Sequence, residues 1–210
     1  MTTGLDAQDL LRAAVERYAA LGSYSDTGEV TRRIAATGTV HRITFSTLYQ
    51  RPSFFRFTFF NPHPYPPLGH LVTDHTVGHD GTIGYSVAKR PDGTVARKSP
   101  ISLEAAIARA TGISSGSAHT IGRLLLPEVQ GLGLLDLVDA RQGDDVIIDG
   151  KSCYSLTARA PKGDRQQELW IEKDSYLLRR RITRSEQSES VEVRENISID
   201  SPQPNSLFAV

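Results

Sequence analysis

The sequence predicts an α+β protein built on one long antiparallel sheet. Three observations carry this. Strand-like runs rich in β-branched and aromatic residues follow one another from Ser25 to Lys98 and again from Asp145 to Ile199. Most are separated only by short Gly-, Pro- or Asp-containing breaks, and short connections force neighbouring strands to run antiparallel. Helical spacing occurs in a few places only, one ahead of the strands and two between the strand sets. A sheet of about ten or eleven strands must curl or split.

The first helix runs from Asp6 to Leu21. Leu10, Leu11, Ala14, Tyr18 and Leu21 form its apolar stripe, Asp6 is placed to cap it, and Gly22 ends it. Strands follow at Ser25 to Arg33, Thr39 to Tyr49 and Phe54 to Phe60, the last two joined by an Arg51-Pro52 turn. The third is apolar on both faces. Phe55, Phe57 and Phe59 share one, and Phe54 and Phe60 share the other with Arg56 and Thr58. A solvent-facing Arg56 would turn Phe55, Phe57 and Phe59 inward. So apolar a strand needs a helix, a second sheet or an apolar ligand to cover it.

Four prolines make Asn61 to Pro67 a stiff loop, because each removes a backbone donor. Strands resume at His70 to Val77, Ile83 to Lys89 and Val95 to Lys98. Two helices are expected next. Ser102 to Thr111 carries Leu103, Ala106, Ile107 and Ala110; Ser115 to Leu126 carries Ile121 and Leu125 and stops at Pro127. After the apolar link Gly131 to Leu135 come strands at Asp145 to Ile148, Ser152 to Ala160, Gln166 to Glu172, Leu177 to Arg184 and Glu189 to Ile199. Leu169 and Ile171 face inward on this reading, since Glu168 and Glu172 share the side of Trp170.

The 210 residues suit one domain spanning 1–210: an N-terminal helix (6–21), a first strand set (24–98), helices (101–127) and a second strand set (144–199). With 24 basic and 24 acidic side chains the net charge is zero, which argues against electrostatic capture of nucleic acid. Cys153 is the only cysteine, so no internal disulfide forms, and it reads as a small buried hydrophobe. No apolar run is long enough for a membrane-spanning helix, and the first residues lack the apolar core of a signal peptide.

Sequence patterns with chemical connotations read as structural. Gly112-Ile113-Ser114-Ser115-Gly116 matches the nucleophile pattern G-x-S-x-G, which needs a strand before the serine. Here a helix precedes it, and His119 is the only histidine downstream. His63, His70, His75 and His79 cluster near Asp74 and Asp80, but His75 and His79 would stand about 13 Å apart on one strand face. Arg179 to Arg181 and Arg184 are matched by Glu186, Glu189, Glu192 and Glu195 on the next strand, so cross-strand pairing accounts for both, with headgroup binding as the alternative use of the run. No catalytic set, metal site or cofactor motif stands out.

The Arg51-Pro52 turn, the aromatic strand Phe54-Phe55-Arg56-Phe57, the Asp80-Gly81 turn with a strand carrying Tyr85, and Leu169-Trp170-Ile171-Glu172-Lys173-Asp174-Ser175-Tyr176-Leu177 occur in an order that resembles the LolA/LolB-type lipoprotein-carrier superfamily. The resemblance implies a strongly curved antiparallel half-barrel, an incomplete β-barrel with helices covering its open mouth and a hydrophobic cavity inside. It implies a non-enzymatic carrier for a lipid, acyl chain or lipid-modified protein, monomeric and without a cofactor. The alternative is a sensor or structural domain of the same fold with a filled core, acting through a protein partner. Under this resemblance the cavity is lined by Phe45, Phe55, Phe57, Phe59, Leu103, Ile107, Ile121, Leu125, Leu169 and Ile171. Arg51 is similar to the carrier residue that holds the lid shut. The expected location is the periplasm or cell envelope, with an export signal outside this sequence; a cytoplasmic location stays open. The Pro-rich Asn61 to Pro67 and the missing lipobox cysteine depart from the pattern.

Overall fold

The computed structural model describes residues 5–61, 74–90 and 92–209. Helix α1 (Ala7–Ala20) is capped by Asp6, whose carboxylate accepts from the Asp9 amide at 2.8 Å. Six strands follow: β1 (Ser23–Ile34), β2 (Val40–Gln50), β3 (Phe54–Phe60), β4 (Asp74–Asp80), β5 (Gly84–Lys89) and β6 (Val95–Ile101). Helices α2 (Leu103–Thr111) and α3 (Ser117–Leu125) lead to six more: β7 (Val138–Gln142), β8 (Val146–Ile148), β9 (Lys151–Arg159), β10 (Gln166–Glu172), β11 (Leu178–Arg184) and β12 (Ser188–Ile199).

The strands form one antiparallel sheet in the order β6-β5-β4-β3-β2-β1-β12-β11-β10-β9-β7, with β8 also on β9. The two 12-residue strands, β1 and β12, pair at its centre and join the two strand sets. The sheet curves but does not close. At one end, the solvent-exposed β6 carries Arg97, Lys98 and Pro100, residues that discourage pairing with another chain.

Among the described residues the sheet holds one strand more than the sequence suggested. β7 is short and largely polar, and its place comes from pairing with β9. The strand expected from His70 is described as β4 from Asp74 to Asp80, so Val77 lies at its middle rather than its end. Its turn is built by Asp80, whose Oδ1 accepts from the Thr82 and Ile83 amides, both at 2.9 Å. All of the Pro-rich loop beyond Asn61 lies outside the described residues.

Alternation assigns the inner face. Phe45 opposes Phe59, Thr47 opposes Phe57, and Phe57 opposes Val77, and all five are buried. The helices cover this side, with α2 over β4 and β5 and α3 between α2 and α1. Contact between α2 and α3 is close: a Cβ on Gly122 would stand 2.9 Å from Ile107 Cδ1.

The outer face of β3 has a cover that sequence reasoning did not foresee. The C-terminal segment crosses it. Phe208 is fully buried, its ring centroid 5.3 Å from that of Phe54. The Tyr85 hydroxyl donates to the Phe208 carbonyl at 2.7 Å, and Arg56 Nη1 donates to the Leu207 carbonyl at 2.8 Å. Arg56 does point outward, as expected, but onto this segment. Each aromatic covered on either face contributes about 1.5–3 kcal/mol of burial.

Candidate functional site

The ten residues expected to line a cavity lie together. Nine are 5% exposed or less, Leu103 is partly buried, and all belong to or pack on one apolar cluster. Phe45 stacks on Phe57 with centroids 5.5 Å apart, Phe57 tilts on Phe59 at 6.0 Å, and Phe59 stacks on His75 at 5.1 Å. Ile107 and Ile121 press down from α2 and α3, and Leu169 and Ile171 close the cluster from β10. Trp170 lies on the opposite side of β10, under the Arg180 guanidinium at 5.2 Å.

Beside this cluster lies a buried set of charges. Arg194 of β12 is fully buried in its side chain. Its Nη1 donates to Asp26 Oδ2 at 2.5 Å, its Nη2 reaches Glu192 and the Ser117 carbonyl of α3, and its guanidinium lies 4.8 Å from the Phe45 ring. Tyr24 donates to the same Asp26 oxygen at 2.6 Å, and the Tyr18 hydroxyl accepts from the Leu178 amide. Burial works against the charge on Arg194, but Glu192 and Asp26 outweigh it and hold its pKa well above the usual guanidinium value. Burial pushes the Tyr18 phenol up to about 12 against the opposing field of Arg194. Gly28 makes room for this arrangement: a Cβ there would stand 2.4 Å from Phe45 Cζ and 2.2 Å from the Val193 carbonyl oxygen.

Sequence reasoning missed this set. The available signal was Asp26, which alternation places on the same side of β1 as Tyr24 and Val30. A carboxylate among buried apolar neighbours demands a buried partner.

A polar cleft of about 430 Å³ opens past Glu192, between the α2–α3 turn and the strand ends of β1, β10, β11 and β12. Arg32, Arg165 and Arg181 line it. Arg181 donates to Gln167 at 2.8 Å and to Thr120 at 2.7 Å. Arg51 sits elsewhere, at the end of β2. Its Nε donates to the Leu21 carbonyl at 2.7 Å, and its backbone amide donates to the Gly22 carbonyl. It therefore ties the β2–β3 turn to the C-terminal end of α1, where a cation also suits the helix dipole. The helix-end carbonyl it meets belongs to α1 rather than to α2 or α3.

No protein-family model matches the sequence, and no curated protein matches it. Solved structures do. LprF from Mycobacterium bovis superposes with a TM-score of 0.57 at 15% identity, over 94% of each chain. The Mycobacterium tuberculosis lipoprotein LppX gives 0.55 at 15% identity, over 94% of this chain and 97% of that one. A chain of the Pseudomonas aeruginosa MucA/MucB complex gives 0.53 at 12% identity, over 97% of this chain but 60% of the other. These matches span the curved sheet and its helices together. The chain has the LolA-like fold.

Within this LolA-like half-barrel, the residue patterns with chemical connotations take structural places. Ser114 is buried in the turn between α2 and α3, where its Oγ accepts from the Ala118 amide at 3.3 Å, and His119 Nε2 lies 2.9 Å from the Gln130 carbonyl. His75 is buried with Nε2 2.9 Å from Ser86 Oγ; burial first, then Arg109, hold its pKa down at about 4. His63 and His70 lie outside the described residues. Among the described residues no group of His, Cys, Asp and Glu is arranged to hold a metal, and no helix is long and apolar enough to cross a membrane.

The arginine run departs from simple alternation. A register shift between Trp170 and Ile171 places Leu178 opposite Ile171 and Arg180 opposite Trp170. Arg179 therefore turns to Glu172 on β10, Arg180 to Trp170, and Arg181 inward to the cleft. Of the expected cross-strand pairs, Arg184 with Glu189 forms at 2.6 Å, whereas Glu192 turns to Arg194 on its own strand.

Proposed function

We propose that this protein is a non-enzymatic binding protein that takes a lipid, an acyl chain or a lipid-modified protein between the inner face of its sheet and helices α2 and α3. The observation that carries the reading is the apolar inner surface of β2, β3 and β4, covered by two nine-residue helices that make no backbone ladder with the sheet. Side-chain packing and two side-chain contacts from the sheet, Arg181 to Thr120 and Arg194 to the Ser117 carbonyl, hold this cover, so it can lift without breaking strands. The rings of Phe45, Phe57 and Phe59 would then meet hydrocarbon instead of one another, and apolar surfaces leaving water together drive the association. The likeness to LppX, a lipoprotein, supports a place in the cell envelope.

Arg51 gates this movement in our reading. Its bond to the Leu21 carbonyl fixes α1, and α1 packs on α3.

Organic extraction of the purified protein, followed by mass spectrometry, tests the proposal. Co-purifying lipid, or saturable binding of a fluorescent fatty acid at one equivalent, is the expected outcome. A folded, monodisperse protein that binds neither favours the second reading. That reading, a filled-core sensor domain acting through a protein partner, draws on the close packing of the ten inner residues. It also draws on the likeness to a structure solved as a MucA/MucB complex.

A further inference from the structure

We infer that the arginine-lined cleft receives the anionic headgroup of an amphiphile, a phosphate ester carried on hydrocarbon chains. This rests on the lipid-binding reading and narrows its ligand.

The cleft has a volume of about 430 Å³, within the size range of small-molecule sites. Its floor is the inner face of four adjacent strands and its roof is the α2–α3 turn. Arg32, Arg165 and Arg181 line it together with Gln167, Thr183 and Ser190. Among the described residues, none of these three guanidinium groups has a carboxylate within 4.0 Å, whereas Arg179, Arg184 and Arg194 all do. Glu192 is the acid on the cleft wall, and Arg194 already engages it. His119, also on the wall, is bonded to the Gln130 carbonyl. Positive charge thus gathers here in a chain whose net charge is zero. Burial lowers the pKa of Arg181, Glu192 opposes it, and Arg194 and Arg165 add to the lowering. Gln167 Oε1 accepts from both Arg181 and Thr183, which leaves its amide nitrogen as a donor. Guanidinium forks and amide donors suit a tetrahedral oxyanion.

The second observation is what adjoins the cleft. Thr120, Leu132 and Arg181 also line a crevice of about 70 Å³ between α1 and α3, whose other walls include Val15, Leu124 and Leu134. Leu135 at its rim is 45% exposed. Charged and apolar recesses therefore share a wall. Inorganic phosphate matches only the first; an amphiphile matches both, with the start of its chain beside Leu132.

Isothermal titration of the whole protein with three probes tests this. Dihexanoyl phosphatidic acid carries both parts, dihexanoylglycerol only the chains, and glycerol 3-phosphate only the headgroup. Phosphatidic acid is expected to bind at least about tenfold more tightly than either other probe. Arg32→Gln and Arg165→Gln together should remove that advantage and leave dihexanoylglycerol binding unchanged. Both arginines line the cleft without a carboxylate partner, and Arg165→Gln alone, at an exposed position, provides a milder variant if the pair disturbs folding. Equal affinity for the two lipids overturns headgroup recognition and leaves the lipid reading standing. Equal affinity for phosphatidic acid and glycerol 3-phosphate overturns the amphiphile in favour of a plain phosphate site. Undiminished phosphatidic acid binding in the variants places the headgroup elsewhere. Binding of none of the three overturns both this inference and the lipid reading.

Discussion

The inner face of the sheet has two halves that solve burial differently. On β2, β3 and β4 it is lined by Ile43, Phe45, Phe57, Phe59 and Val77, which need only shape. On β1 and β12 it holds Asp26, Glu192 and Arg194, which need one another. The halves meet where the Arg194 guanidinium lies over the Phe45 ring at 4.8 Å. Apolar contacts are non-directional, so the first half can exchange one apolar neighbour for another. A buried ion pair tolerates no such exchange, because a lost partner leaves a charge without solvent. We therefore assign movement and cargo to the phenylalanine half and a fixed frame to the charged half.

The largest expected effect comes from making the first half resemble the second. Phe57→Asp puts a carboxylate where no cation waits, at a cost of several kcal/mol. It should abolish cooperative unfolding in a thermal melt followed by circular dichroism. A melt like that of the wild type would mean that the inner face has been assigned to the wrong side of β3.

Arg194→Met attacks the charged half by leaving the buried Asp26 and Glu192 without their cation. A loss of about 3–5 kcal/mol is expected in urea unfolding. The triple replacement Asp26→Leu, Glu192→Gln and Arg194→Met, which leaves no buried charge behind, should recover much of it. If the single change costs under about 1 kcal/mol, the charged half is open to water and is not a frame.

His75 lies on the apolar half and supplies a pH test. Its folded-state pKa of about 4 is below the ordinary 6.5. Between these values the unfolded chain binds a proton that the folded chain does not. The stability tied to neutral His75 is therefore intact above pH 6.5 and is lost as pH falls toward 4. The full loss is about 3 kcal/mol. His75→Phe, which keeps the stack on Phe59, should show a smaller fall in urea midpoint across that window. Identical pH profiles would show that His75 is hydrated in the folded state.

Arg51 gives the smallest change in stability, about 1 kcal/mol for one hydrogen bond to a carbonyl. Its interest is kinetic. Arg51→Leu should alter the off-rate of a bound fatty acid, with Arg51→Lys intermediate. Equal off-rates for wild type and both variants would remove gating and leave Arg51 as a tie between the β2–β3 turn and α1.

The phenylalanine half could be read from the chain because alternation in a single strand states which side each ring takes. Phe55, Phe57 and Phe59 were grouped on that basis, and they are buried together. The arginine run shows where this logic stops. One extra residue between the Trp170 and Ile171 pairings separates Arg179 from Arg181, and nothing local in the sequence announces it. Arg51 was singled out as similar to a residue that holds a lid shut, and the structure gives it a helix-end carbonyl. That the carbonyl belongs to α1 depends on how the chain returns past Gly22.

The sequence by itself determined the element order, the antiparallel sheet and the buried aromatic face, because periodicity, caps and short turns act over a few residues. Tertiary structure decided the rest. The Asp26–Arg194 pair spans 168 positions. The cover that Phe208 provides over Phe54 and Tyr85 comes from the far end of the chain. The cleft gathers Arg32, Arg165 and Arg181 from three strand ends. Each depends on β1 meeting β12 at the centre of the sheet, and a contact between distant segments leaves no periodic trace in either one.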